Sequence, residues 1–266
     1  MTSSAEMSAR RELATGRRER RFAVAWRNRA RHFAAPVAVL DHGQDGYHFR
    51  YLHRIADSVD QFRPFIGFPD LHRAYESPRL WPFFALRVMD PKRPDRPTYL
   101  GRLALGPDAS RLDVLARSGG EQKGDSVSVV EEPEVAPDGT TDTIFLVRGA
   151  RYAVQEHGTL HAAERLQVGD HLDLVDDVDN VANSDALLLT TTDGSPVGWI
   201  PDLLIDYARR VRAGNGDVTV VLNNGPDTPW HMRLLVRLGG QIEPAPGAFS
   251  GDEWPTRRRS NLHYSR

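Results

Sequence analysis

Residues 194–214 read GSPVGWIPDLLIDYARRVRAG, and this stretch decides the class of fold. Residues 197–200 form a short apolar run suited to a strand. Pro201 and Asp202 then give a helix-start signal. Leu203, Leu204, Tyr207, Ala208 and Val211 follow at three- and four-residue spacing, which is one apolar stripe along a helix. Gly214 ends it. Arg209, Arg210 and Arg212 fall at the C-terminal end, where the helix dipole favours positive charge. A strand leading directly into one helix, among many further strands, predicts an α+β fold.

Working outward, strands are expected at 143–147, 171–176, 186–192, 217–222 and 231–238. With the single helix they suggest a β-rich, barrel-like module over 143–243. Upstream, residues 131–142 (EEPEVAPDGTTD) are acidic and carry two prolines and a glycine, so they read as a linker. Residues 22–130 read as a small α+β N-terminal domain. Its expected elements are a strand at 36–40 and a helix over 47–59 carrying Leu52, Ile55, Ala56 and Val59. Ser77 and Pro78 open a buried helix with Leu80, Trp81, Phe83, Phe84, Leu86 and Val88. Residues 89–97 read as a turn. A short helix capped by Asp108 stops at Gly119 and Gly120, and a strand covers 125–130. Residues 1–21 read as a disordered basic arm and 244–266 as a tail.

The chain has 266 residues, 40% of them hydrophobic, and no cysteine. Disulfides, thiolate metal sites and a cysteine nucleophile are thereby excluded. No apolar run has the length of a membrane span. The arginines near the start are not followed by the hydrophobic stretch of an export signal, so a cytoplasmic location is expected. The net charge of −2 conceals an asymmetry. Residues 1–31 hold nine Arg against three Glu and residues 257–266 hold four Arg, which leaves −12 on the middle. The body as a whole therefore repels a phosphate backbone, and polyanion binding requires a local patch or the arms.

Catalytic signatures are missing: no phosphate-binding loop, no nucleophile elbow, no HExxH and no kinase catalytic loop. Residues 118–126 (SGGEQKGDS) hold glycines and Lys123 at the wrong spacing for a phosphate loop. His157 and His161 stand four apart, but Gly158 and Thr159 disfavour a helix between them and a third ligand is lacking. Asp176, Asp177 and Asp179 suit an acidic strand end and turn better than a magnesium site. No enzyme, metal or cofactor is expected.

Four segments of the second half carry a resemblance. The first is Gly149, Ala150, Arg151 and Tyr152. The second, residues 166–187, keeps Asp177, Asn180, Asp185, Ala186 and Leu187 in frame. Residues 194–201 (GSPVGWIP) follow, and Pro229, Trp230, His231 and Met232 lead into the last strand. In this order they resemble the HIRAN domain, a β-rich nucleic-acid-binding module that grips DNA, notably a single-stranded 3′ end. The resemblance implies that Gly149 to Tyr152 close the first strand. It also implies a nucleic-acid surface of Arg151, Tyr152, Asn180, Asn183, Asp185, Trp230, His231 and Arg233. Arg151 offers a planar fork to phosphate. Tyr152 and Trp230 offer rings on which bases stack, unless they are partly buried core aromatics, as Trp199 is expected to be. Asn180 or Asn183 offers an acceptor for a terminal hydroxyl. The chain departs from the family in this turn: Ala182 and Asn183 replace an aromatic and an aspartate, and Val178 and Val181 replace prolines.

The first half resembles, more faintly, the small N-terminal subdomain of HipA-type kinases, through residues 37–51, 80–88 and 112–130, without the kinase core. The expectation is a non-catalytic protein that binds single-stranded DNA or a DNA 3′ end in repair or anti-phage defence, beside a catalytic or toxin-like protein partner and away from membranes. The alternative is a regulatory protein-binding module of a toxin–antitoxin-like system, without nucleic-acid binding.

Overall fold

The computed structural model describes residues 19–27, 34–53, 55, 62–122, 124, 126–244, 247–249 and 254. The fold is α+β, with two antiparallel sheets. The first has the order β4 (Tyr75–Ser77), β3 (Gly46–Tyr51), β2 (Ala34–Gly43), β1 (Arg20–Arg27), β5 (Val127–Glu131). Its helices are α1 (Pro82–Ala85), α2 (Arg96–Arg102) and α3 (Arg111–Ser118). The second sheet has the order β10 (Pro196–Trp199), β9 (Leu187–Thr191), β8 (His171–Asp176), β11 (Asp217–Asn223), β12 (Leu234–Gln241), β7 (Thr140–Leu146), β6 (Glu134–Val135). Beside it lie α4 (Ala150–His157), α5 (Leu160–Arg165), α6 (Ile205–Ala213) and 3-10 turns at Asp202–Leu204 and Trp230–Met232.

β1 lies between β2 and the edge strand β5. Residues 22–25 are all buried, because Phe22 and Val24 face one core while Ala23 faces the other. A strand covered on both faces has no polar alternation to betray it. Arg20 and Arg21, assigned by sequence to a disordered arm, belong to this strand. Arg21 is nearly buried and pairs with Asp41 at 2.7 Å. Arg20 binds Glu131 at 2.6 Å and Asp113 at 2.7 Å. Burial alone would lower its pKa, but these carboxylates reverse the effect and hold it above the ordinary arginine value. Residues 1–18 and 255–266, which hold most of the expected arms, lie outside the described residues.

Other expectations shift. Of the helix expected over 47–59, residues 47–51 belong instead to β3, which pairs with both β2 and β4; residues 53 and 55 are helical, Leu52 and Ile55 are buried, and residues 54 and 56–59 lie outside the described set. Ser77 ends β4, and the following helix is delayed to α1, capped by Trp81 with proline in its first turn. Leu86 is 75% exposed, so that segment is not buried all round. The turn expected at 89–97 stands over residues 89–95, and α2 begins at its end, held by the buried Arg96, whose guanidinium donates to the carbonyls of Met89 (3.0 Å) and Ala109 (2.9 Å). Ser110, not Asp108, caps α3, in a reciprocal capping box with Asp113.

Residues 131–142, expected as a linker, end β5 and then build the β6–β7 hairpin, whose prolines and glycine supply its turns. The two cores interlock: Leu146 and Leu235 pack with the first sheet, and Ala23 and Val130 pack with the second. The second half contains three helices rather than one. Its sheet is not a closed barrel; β10 and β6 are its ends, although an isolated bridge between Arg148 and Trp199 ties the chain just after β7 to β10. No helix among the described residues is long and apolar enough to cross a membrane.

Candidate nucleic-acid interface

Gly149 to Tyr152 do not close a strand. Gly149 sits at φ 59° and turns the chain into α4. Ala150, Ala153 and Val154 point inward, while Arg151, Tyr152 and Gln155 point out. That three- and four-residue spacing is helical, and it was readable in the sequence once the glycine was taken as a helix start.

The Gly149 backbone lies against the Trp199 indole: a Cβ built there would be 2.6 Å from Cε3. Trp199 is half-buried, and its Nε1 donates to Asp177 Oδ2 at 2.7 Å. The same oxygen accepts from Asn180 Nδ2 at 2.9 Å. Asn180 Oδ1 in turn accepts from the backbone N–H groups of Ala182 (3.0 Å) and Asn183 (3.1 Å). Asn183 donates to Asp202 Oδ1 at 3.2 Å and accepts from the Asp185 amide at 3.0 Å. Asp202 also receives the Ala34 amide at 2.9 Å, which anchors the turn to the first sheet. Backbone hydrogen bonds between Arg148 and Trp199 close the corner, and α4 packs on both β10 and the turn Trp230–Met232. The four sequence segments, spread over more than eighty residues, therefore meet at one corner.

The expected site residues divide into two groups. Arg151 and Tyr152 are exposed, Tyr152 to 70%, at the start of a helix without a side-chain cap. Arg151 contacts the neutral Gln155 (3.3 Å), and among the described residues it has no carboxylate partner. His231 is exposed on the Trp230–Met232 turn that packs against α4. The rest are occupied by the protein itself. Arg233 lies 3.6 Å over the Trp230 ring and donates to the carbonyls of Thr228 (2.9 Å) and Pro226 (2.5 Å). One face of Trp230 is thus already covered. Asp185 is exposed but pairs with Arg209 at 3.5 Å. Asn180 and Asn183 spend their amides inside the turn.

Sequence reading missed the positioning roles of Gly149, Asp177 and Trp199, which act through contacts between distant segments. The turn they brace carries Val178 (69% exposed) and Val181 (102%) outward. Asp176 is held by Arg212 at 2.8 Å and Arg209 at 3.4 Å; chiefly the Arg212 hydrogen bond keeps its carboxyl below the usual range. Asp176 and Asp177 are thus engaged within the fold. Among the described residues no group of three or more His, Asp or Glu side chains is placed to hold a metal, and His157 and His161 lie on separate helices. No family model, curated protein or solved structure matches this chain.

Proposed function

We propose that the protein binds single-stranded DNA or a DNA 3′ end, without chemistry of its own, through a HIRAN-like module in its second half. The observation that carries the reading is the meeting of the four resembling segments at one corner, two of them against Trp199 and the Trp230–Met232 turn against α4, with Arg151 and Tyr152 left outward there. A guanidinium without a carboxylate partner among the described residues meets phosphate as a fork. An exposed phenol ring stacks on a base, worth about 1–3 kcal/mol. The uncapped first turn of α4 adds backbone N–H groups and a favourable dipole for an anion. The Arg148–Trp199 bridge would tie β10, at one end of the second sheet, to the chain leaving β7 beside the other end, as in a partly closed barrel. Repair or phage defence, with a separate catalytic or toxin-like partner, are the settings that suit such a recruiter.

A second reading rests on the turn 177–185. Its amides are internally bonded, and it presents Val178 and Val181 to solvent. Those features suit a protein-binding module, the regulatory role implied by the HipA-like first half. Fluorescent single strands with free or blocked 3′ ends, titrated over a salt series, separate the two. DNA binding predicts end-dependent affinity that Arg151→Ala weakens; no binding at low salt leaves the protein-binding reading.

A further inference from the structure

We propose that the cleft between β5 and β7 receives an extended basic peptide of a partner protein, which adds as a strand to the free edge of β7 at Ile144 and Leu146. This inference does not depend on nucleic-acid binding.

β7 pairs with β12 with Phe145 opposite Val236, and the Val147 amide donates to Leu234 O at 2.9 Å. Hydrogen-bonded pairs alternate along an antiparallel ladder. Thr143, Phe145 and Val147 therefore turn their backbone groups toward β12, while Ile144 and Leu146 turn theirs the other way. On that other side β6 serves the first part of β7: Glu134 faces Asp142, and the Ala136 amide donates to Thr140 O at 2.8 Å. Continued unbroken, the β6 register would place Glu132 and Val130 opposite Ile144 and Leu146. Those residues have left. Beyond Pro133 the chain belongs to the first sheet, where the Glu132 amide donates to Arg21 O at 2.8 Å and Val130 pairs with Ala23.

Where the strands part there is a cleft of about 630 Å³, walled by the end of α3, by β5 and by β7. That is the size of a ligand pocket. Among the described residues, nothing bonds the outward N–H and C=O of Ile144 and Leu146, although Leu146 is only 4% exposed. Unpaired backbone groups at a buried strand edge are costly and form a template for another strand. The β5 side is partly spent, since the Val129 amide already donates to Gly119 O at 2.8 Å, so the newcomer pairs with β7. Five carboxylates against three arginines line the cleft, which favours basic side chains on the peptide.

The test follows amide exchange of the full chain at residue resolution. The probe is a capped pentapeptide of alternating lysine and valine, with a control N-methylated on its central residue. The free protein should exchange the Ile144 and Leu146 amides rapidly. With the probe at about ten times its Kd, their exchange should slow about tenfold, and the control should have no effect. Ile144→Pro should fold with little change in melting temperature, because the lost N–H has no partner, yet abolish the protection. The proposal is overturned if those amides are already protected in the free chain at any protein concentration, or protected by self-association. It is also overturned if the peptide protects neither amide up to about 10 mM, far weaker than the μM–mM range of specific recognition, or if the N-methylated control works equally well.

Discussion

Gly149→Ala tests the corner on which the functional reading stands. Gly149 has a left-handed φ of 59°, a conformation that costs an L-residue with a Cβ about 1–2 kcal/mol. The added methyl would also lie 2.6 Å from Cε3 and 2.9 Å from Cζ3 of Trp199, so the indole must withdraw. Overpacking of this kind costs about 1–3 kcal/mol. The two effects sum to about 2–5 kcal/mol. Gly158 supplies the control, because its φ is also left-handed, at 66°, but a Cβ there meets nothing within 4 Å. Gly158→Ala should therefore lose only the conformational part, about 1–2 kcal/mol. Urea denaturation followed by circular dichroism measures both. The excess of the Gly149 variant should vanish in a Trp199→Ala background, where no ring remains to be displaced. The reasoning fails if Gly149→Ala is no more destabilising than Gly158→Ala, or if the excess survives removal of the ring.

Arg151→Ala should weaken single-strand binding and make the slope of log K against log salt shallower by about 0.7, the loss of one phosphate contact; fluorescence anisotropy over a salt series reads this. Arg233→Ala should leave that slope unchanged while lowering the urea midpoint, because its guanidinium bonds internal carbonyls. Asp177→Ala removes a charged acceptor from the Trp199 indole and should cost about 1.5–3 kcal/mol in the same urea assay. Burial pushes the Tyr207 and Tyr51 hydroxyls up to about 12. A raised folded pKa gives stability that is complete below the unfolded value of about 10 and is lost as pH rises from about 10 to 12. Urea midpoints should fall across that window, and Tyr207→Phe should reduce the fall; a flat profile would contradict the burial argument.

The sequence by itself determined the parts of this protein in which local pattern and tertiary demand agree. The helix of Tyr207, Ala208 and Val211 and the strand at His171–Asp176 stand where spacing places them, since each has one buried and one exposed face. The absence of cysteine alone excludes disulfide and thiolate chemistry. Tertiary structure decided the rest. β1 was illegible because both its faces are covered, and the charges of Arg20 and Arg21 are met by partners 20 to 111 residues away. The linker-like run 131–142 became a hairpin because β7 was there to pair with it. Most of the candidate site residues could be named from residue type, but whether each was free could not. Arg151 and Tyr152 face outward because Ala153 and Val154 face the core, whereas Arg233, Asn180 and Asn183 found acceptors or donors within the fold. A side chain's chemistry is written locally, but its availability depends on what folding brings within hydrogen-bonding distance.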